Sequence, residues 1–333
     1  MNLGCKGSLK LTLEKNLQQG FSTAHLKSMY GLTKPVTVKG TSESFNDMVI
    51  DHTQGMSISG VQRKMFMTLE KGILVPSNQG EYIVKPTPKD FSQLSENEHA
   101  IMKIAARLGF KVAKCSIAPF EDGELVYVTK RFDLTSKKGV KIFVEDGASI
   151  CDVHPMNKGS DALSYERCIK TMVDACGGAI ALSVYATRLV LFSYIVGNND
   201  LHLKNFSLQR KPTSKSPMMD GFTPLYDVLS VAPYPKYDTE YLSLSLLESE
   251  TDGVFSSRYE IYSDYTKHDF ILLLTSLGVD SIIAEQVILD FVARIRKVSP
   301  NVLTLSSLSG DMQDTIMNRI IERCKVMERK IIE

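Results

Sequence analysis

The sequence lacks the features that would place the protein in a membrane or an oxidising compartment. None of its apolar runs approaches the roughly 20 residues that a bilayer-spanning helix needs, and the N-terminus has no apolar region typical of a signal peptide. Its 6 cysteines are scattered, with no Cys-x-x-Cys pair and no histidine cluster at metal-ligand spacing. We therefore expect reduced thiols in a cytoplasmic protein without a membrane partner.

Strong net charge is also absent. The 39 basic and 38 acidic side chains leave a formal net charge of +1, so there is no global attraction to DNA, RNA or anionic lipid. Contact with DNA is expected only indirectly, through a partner. No internal repeat is found, and a chain of 333 residues that is 43% hydrophobic can bury the core of one large or two modest domains.

The distribution of short apolar runs predicts an α+β fold with two lobes. Residues 1–55 form a short N-terminal cap segment, 56–135 a β-rich lobe, and 136–333 a mainly helical lobe. One helix interrupts the β-rich lobe, and we expect Ser95 to be its N-cap, Glu98 its capping-box partner and Gly109 its end. The β-prone runs are "KMFMTLE", "EYIVKP" and "ELVYVTKRF". The helical runs of the second lobe are "YERCIKTMVDAC", "AIALSVYATRLVLFSYIV", "SIIAEQVILDFVARI" and "DTIMNRIIERCKVM".

A polar stretch, "GNNDLHLKNF", follows the most apolar of these helices. Such residues are good turn formers, so the end of a helix explains them about as well as a functional site does. The spacing from Asp200 to Asn205 is also that of a protein-kinase catalytic loop. There an acid accepts the proton of the substrate hydroxyl, and an amide oxygen holds Mg²⁺. The spacing alone occurs often by chance, so it needs companions.

Three further residues occur in the order that a kinase requires. Lys85 ends a β-run, Glu98 lies on the helix after it, and Asp227 follows the catalytic loop where kinases carry a metal-binding aspartate. Each has an ordinary alternative: a strand-end lysine, a capping residue and a turn aspartate. Their order across one β-rich and one helical lobe favours a kinase.

The phosphate loop departs from the usual glycine-rich pattern. The run "SISGVQRK" has a single glycine, Gly60, followed by Lys64. One glycine between small residues can still turn backbone N–H groups toward phosphate oxygens, with the lysine adding charge. The alternative is a plain hairpin entry.

Together these residues resemble the HipA-like serine/threonine kinase toxins of bacterial toxin–antitoxin systems. About 55 residues precede the phosphate loop, which we expect to be too few for the extra N-terminal subdomain of full-length HipA. The chain therefore resembles the short form HipT, whose partners are a small protein, HipS, and a helix-turn-helix protein, HipB. The matching motifs are "SISGVQRK", "YIVKP", "ENEHAIMKIAARLGF", "KRFD", "GNNDLHLKNFS" and "YDVLSVAPYP".

The resemblance implies roles for individual residues. Asp200 is the general base, Asn205 and Asp227 hold Mg²⁺, and Lys85 pairs with the phosphates of ATP. A hinge at Lys130–Asp133 binds adenine and ribose. The nucleotide-binding residues it implies are Ser57, Ser59, Gly60, Val61, Gln62, Lys64, Lys85, Glu98, Lys130, Phe132, Asp133, His202 and Lys204.

The expected function is transfer of the ATP γ-phosphate to a serine or threonine of a translation-related protein, by resemblance an aminoacyl-tRNA synthetase. Autophosphorylation of Ser57 and Ser59 is expected by the same resemblance, although turn-forming serines without a regulatory role fit the composition. One alternative is a nucleotide-binding pseudokinase that acts as a co-repressor. The other is an atypical small-molecule or lipid kinase.

Overall fold

The computed structural model describes residues 1–45, 63–137, 139–159 and 162–329. In these ranges the strands are β1 Asn2–Gly4, β2 Leu11–Leu13, β3 Leu17–Gln18, β4 Phe21–Ser22, β5 Thr37–Val38, β6 Met65–Glu70, β7 Ile73–Pro76, β8 Tyr82–Pro86, β9 Cys115–Pro119, β10 Leu125–Lys130, β11 Phe143–Asp146, β12 Ser207–Arg210 and β13 Gly221–Phe222. The α-helices are α1 Thr23–Tyr30, α2 Leu94–Arg107, α3 Gly147–Ile150, α4 Tyr165–Asp174, α5 Ile180–Val196, α6 Ser257–Tyr262, α7 Lys267–Ser276, α8 Ser281–Thr304 and α9 Gly310–Glu328.

A six-stranded sheet forms the β-rich lobe, in the order β5-β7-β6-β8-β10-β9. Adjacent pairs are antiparallel except β5 with β7, which is parallel. Alternation along the strands places Met67, Val84 and Val128 in one apolar core, which Leu26 of α1 also enters. The three predicted β-runs become β6, β8 and β10, and the N-terminal segment contributes β5 to the same sheet.

The predicted helix of this lobe is present as α2, but its predicted start is wrong. Gln93 is the N-cap, at φ 55° and without a side-chain cap. The Ser95 hydroxyl instead donates to the carbonyl of Lys85 at 3.0 Å. Glu98 is fully buried and bonds to the Lys85 ammonium, so it is unavailable as a capping-box partner.

Helix α2 is attached to the helical lobe near both of its ends. Near its start, the Asn97 amide donates to the Ser230 carbonyl at 2.8 Å and accepts from the Ser230 N–H at 2.9 Å. Beyond its end, Arg294 of α8 donates to the Leu108 carbonyl at 2.7 Å. We call the Asn97–Ser230 pair the clasp, because it joins α2 to the segment that begins at Asp227.

The helical lobe is built around α5, which is apolar on most of its circumference and largely buried. The predicted helical runs of this lobe are confirmed as α4, α5, α8 and α9. A small sheet, β11-β12-β13, receives the chain after the loop at 197–206 and packs on α5 through Phe222, whose ring stacks on that of Tyr185 at 5.6 Å. All 6 cysteines are described and none forms a disulfide. Among the described residues, no helix is both long enough and apolar enough to span a membrane.

Candidate active site

Three charged side chains from three parts of the chain meet at the junction of the lobes. The Lys85 ammonium, at the end of β8, lies 2.9 Å from Glu98 Oε1 of α2 and 2.6 Å from Asp227 Oδ1. The side chain of Glu98 is 0% exposed, that of Lys85 9% and that of Asp227 33%. We call these three residues the ion triad, because Lys85 bonds to both Glu98 and Asp227.

Burial and mutual attraction set the protonation of the triad. Burial disfavours the charged form of Lys85, but attraction to the carboxylates of Asp227 and Glu98 outweighs burial and raises the Lys85 pKa above its ordinary value. Burial likewise opposes ionisation of Asp227, yet Lys85 holds the pKa of that carboxyl below its usual range. For Glu98, burial prevails over Lys85 and raises the pKa to about 7. Asp227 is therefore negatively charged at neutral pH, next to the positively charged Lys85.

Asp227 also occupies an unusual backbone conformation. Its φ is 59°, in the left-handed region. Residues other than glycine seldom adopt this region, although asparagine and aspartate do so more often than the rest. The ion pair with Lys85 and the clasp three residues later hold the backbone there. Strain of this kind is typical of functional residues.

The loop after α5 holds the backbone of Asp200 from both sides. Helix α5 ends at Gly197, whose φ of 71° closes the helix as turn chemistry predicts. The side chain of Asn198 accepts from the Asp200 N–H at 3.2 Å, and the Asn205 amide donates to the Asp200 carbonyl at 3.0 Å. The polar residues therefore both end a helix and fix the position of one carboxylate.

Asp200 projects into the open cleft. Its side chain is 68% exposed, and Oδ1 lies 3.7 Å from Nε2 of His202. Removal of water by the cleft walls raises the pKa of this carboxyl, although His202 opposes the shift. His202 itself is buried, and burial lowers its pKa, so the ring is neutral near pH 7.

The predicted hinge runs along the opposite wall of the cleft. Arg131 holds both oxygens of Asp133, at 3.0 and 2.6 Å, so the carboxylate expected at a ribose already has a cationic partner. The ring of Phe132 lies 5.6 Å from that of Tyr226, next to Asp227 in sequence. The Lys130 ammonium lies 5.6 Å from the ring centre of Tyr82. Phe132 and Tyr226 form an apolar wall of a size that suits a base.

All these groups line one cleft of about 710 Å³. Lys64 and Lys204 also line it, and burial lowers the pKa of Lys64. The other phosphate-loop residues of the prediction lie outside the described residues: Ser57, Ser59, Gly60, Val61 and Gln62. Within the described residues, the cleft is lined by Arg131 and five lysines, at 64, 85, 130, 158 and 204, against Glu98, Asp133, Asp200 and Asp227. An excess of lysines over carboxylates suits a polyanionic ligand.

The donor set also fits a magnesium ion. No group of three or more His, Cys, Asp or Glu at metal-binding separation occurs in the described ranges. Mg²⁺ in kinases needs fewer protein ligands, because phosphates and water complete its octahedron. Asp227 and Asn205 line the same cleft, and the Asn205 amide nitrogen is turned to the Asp200 carbonyl, which leaves its oxygen for other partners.

Sequence reasoning missed Lys158 and Asn97. Lys158 lies in a turn-rich connection and reaches the cleft from there. Asn97 sits inside a predicted helix, where nothing in its spacing indicates a bond to Ser230. The position of Lys158 in the cleft and that of Asn97 in the clasp become evident only from the residues that each contacts in the structure.

The sequence of the chain matches a known protein family. A sequence profile of the HipA-like C-terminal domain matches residues 56–298, well over half of the chain. The chain belongs to the HipA-like C-terminal domain family. The match spans both walls of the cleft, and the resemblance to HipA-like kinases is therefore confirmed, while the short HipT form stays a prediction.

Individual HipA-like relatives agree with this assignment. A Haemophilus influenzae protein named "Putative kinase" is 32% identical over 259 residues, which cover 74% of this chain and 74% of that protein. The serine/threonine-protein kinase toxin HipA of Shewanella oneidensis is 24% identical over 229 residues, 63% of this chain and 51% of the toxin. The chain thus spans about half the length of that toxin.

A solved structure shares the fold. A chain of the Shewanella oneidensis MR-1 complex of HipA, HipB and operator DNA superimposes with a TM-score of 0.64 at 19% identity, over 84% of this chain and 70% of that chain. The protein is therefore a HipA-like kinase homologue with the two-lobed kinase-like fold that the sequence predicts.

Proposed function

We propose that the chain is an ATP-dependent serine/threonine protein kinase that acts in the cytoplasm as the toxin of a bacterial toxin–antitoxin system. The observation that carries the proposal is the ion triad. Lys85 is bonded to both Glu98 and Asp227 in the cleft that also holds Asp200 and Asn205. A pseudokinase usually lacks one of these groups, and the family relationship to kinase toxins supplies the biological class.

The nucleotide end of the cleft takes ATP. The backbone of 130–133 meets the adenine edge, and the apolar wall of Phe132 and Tyr226 packs against the base. Lys85 pairs with the phosphates, as the β-strand lysine of kinases does. Lys64, His202 and Lys204 contact the phosphate chain, and Ser57, Ser59, Gly60, Val61 and Gln62 remain the predicted phosphate-loop residues.

Phosphoryl transfer in such a cleft is mainly positioning and charge neutralisation. Asn205 and Asp227 would hold Mg²⁺, which would supply charge neutralisation at the phosphates when bound. Asp200 aligns the acceptor hydroxyl and accepts its proton, and the exposure of its side chain gives a protein substrate access to it.

The biological setting follows from the family resemblance. The substrate is a translation-related protein, by resemblance an aminoacyl-tRNA synthetase. Partners are a small HipS-like antitoxin and a HipB-like helix-turn-helix protein, with DNA contacted only through the latter. Autophosphorylation of Ser57 and Ser59 adds about −1.5 to −2 charges each to the phosphate loop and limits activity by repelling ATP.

The test is to incubate the purified chain with labelled Mg-ATP and a bacterial extract and to identify the labelled species. Label on serine or threonine of a protein supports the proposal, and label on a lipid or sugar contradicts it. Asp200→Asn is the matched control. Peptide mass spectrometry of both proteins tests autophosphorylation separately, because unmodified Ser57 and Ser59 in active enzyme would exclude it without affecting the kinase assignment.

A further inference from the structure

A lysine outside every kinase motif reaches the centre where transfer would occur. Nζ of Lys158 lies 2.6 Å from Nε2 of His202. The main chain is anchored at the same place, because the Lys158 carbonyl accepts from the N–H of Leu203 at 3.0 Å. A side-chain contact and a backbone bond thus tie the segment at 154–159 to the catalytic loop.

The chemistry of this contact fixes the state of the imidazole. An ammonium has only donors, so Nε2 of His202 must accept and the ring proton must sit on Nδ1. Nδ1 is buried and has no hydrogen-bond partner in the part of the chain that the structure describes. A neutral ring held in this way cannot itself carry the positive charge that a phosphate needs. Its contact with Lys158 positions that lysine instead.

Lys158 contacts a neutral group, the His202 imidazole, in this arrangement. It is half-buried, and within the described ranges no carboxylate forms an ion pair with it. By contrast, Lys85 of the same cleft is paired with two acids, Glu98 and Asp227. A cation held by a neutral acceptor is free to attract an anion. The His202 Nε2 atom that Lys158 contacts lies 3.7 Å from Oδ1 of Asp200, the carboxylate that faces the acceptor hydroxyl.

We propose that Lys158 is a catalytic residue that contacts the phosphoryl group in transit, and that His202 is the positioning residue that holds it. The inference rests on the proposed kinase function. In the transfer, the acceptor oxygen forms a bond to the γ-phosphorus while the bond to the β,γ-bridging oxygen breaks. The hydroxyl proton passes to Asp200, and ADP leaves with the electron pair of the broken bond. Lys158 neutralises charge on the non-bridging oxygens, which is greatest in the transition state.

The experiment measures initial rates of label transfer from ATP into a fixed amount of bacterial extract, over a range of ATP concentrations. Lys158→Met should lower the maximum rate by about 10²- to 10³-fold, the usual effect of removing one transition-state donor. The apparent KM for ATP should change by less than about threefold, because Lys85 and the hinge remain. Lys158→Arg should recover part of the rate. Lys170→Met, an exposed lysine on α4, is the matched control and should transfer like wild type.

His202→Leu tests the positioning role. It should lower the maximum rate by about tenfold alone, and it should have no further effect in the Lys158→Met background, because the two residues act as one unit. Fully additive effects would exclude the positioning role. Binding of a fluorescent ATP analogue and the melting temperature confirm that each variant is folded.

The two levels of inference fail in different ways. If the wild-type protein labels no protein, the proposed function is contradicted. Wild-type protein that transfers label, together with Lys158→Met protein within threefold of it or with an ATP KM raised in proportion to the lost rate, overturns only the role of Lys158.

Discussion

The two aspartates of the cleft sit in opposite environments. Asp227 is bonded to Lys85 at 2.6 Å, and its pKa is held low although burial opposes ionisation. Asp200 has a side chain that is 68% exposed, and its Oδ1 lies 3.7 Å from Nε2 of His202. One aspartate is fixed in a buried ion pair, and the other is open to the cleft. For the proposed kinase, the contrast matches a rigid site for ATP and an accessible site for the acceptor.

The largest expected effect is at the exposed aspartate. Asp200→Asn keeps the shape of the side chain and removes the base, so phosphoryl transfer should fall by about 10³-fold or more. Binding of a fluorescent ATP analogue should stay within about threefold of wild type, since the triad is untouched. Asp227→Asn should lower both transfer and Mg-ATP affinity. Retention of more than a tenth of the transfer rate in Asp200→Asn would contradict its assignment as base.

The buried triad should respond in stability as well as in activity. Lys85→Met leaves Glu98 and Asp227 facing each other without a cation, which should lower the free energy of unfolding by about 3 kcal/mol. Lys85→Met combined with Glu98→Leu replaces the buried pair by apolar groups, so it should recover most of the stability while ATP binding stays lost. Urea unfolding and nucleotide titration separate the two effects. A double variant as unstable as the single one would show that the loss does not come from unpaired charge.

The same pair predicts a pH dependence. The pKa of Glu98 is raised by burial to about 7, so between the ordinary value of 4.5 and about 7 the folded state binds more protons than the unfolded chain. This group therefore lowers stability as pH rises through that window. Lys85→Met should steepen the decline, because the cation that opposes the shift is gone. Unfolding at pH 6 and pH 8 should thus show a larger deficit of the variant at pH 8.

A smaller loss of stability is expected at the clasp. Asn97→Ala leaves a buried N–H and carbonyl of Ser230 without partners, which costs about 1–3 kcal/mol. Since Ser230 lies three residues after Asp227, ATP affinity should fall as well. Asn318→Ala on the exposed side of α9 is the matched control and should be close to neutral. Equal melting temperatures for the two variants would mean that the clasp adds nothing.

The smallest effect is expected at the ion pair between Asp238 and Arg319. The carboxylate receives two bonds from the guanidinium, at 2.9 and 2.5 Å, and Arg319 lowers its pKa. The stabilisation is present above the unfolded pKa of about 3.8 and is lost as pH falls through the lower folded value. Asp238→Asn should therefore lose about 1 kcal/mol at pH 7 and show a shallower acid limb. Identical acid unfolding curves would contradict this.

Sequence order was sufficient to predict the groups that a kinase carries at fixed places along the chain. Lys85, Glu98 and Asp227 do meet, and Asp200 and Asn205 share one loop, because strand ends and helix starts determine where those side chains point. The capping-box interpretation of Ser95 and Glu98 failed for the same reason. A local spacing rule assigned Glu98 to its own helix, whereas burial next to Lys85 decides its partner.

The contacts that sequence could not predict are long-range polar pairs. Lys158 and His202 are 44 positions apart, and Asn97 and Ser230 are 133 apart, and neither pair has a periodic signal. Strands β7 and β9 were also missed, because short runs between turns resemble loops until a sheet pairs with them. Tertiary pairing, rather than local propensity, decides such cases.

Helix α2 is built into the helical lobe by the clasp, by Arg294 and by its own buried face. In protein kinases the glutamate of the equivalent helix is commonly brought to its lysine only after an activating event. Here the bond between Lys85 and Glu98 belongs to the ground state of the fold, so no phosphorylation is needed to form it. The contact between the strand lysine and the helix glutamate is therefore already formed in this fold. For the proposed kinase, this arrangement predicts that inhibition acts through another molecule, or at a part of the cleft other than this helix.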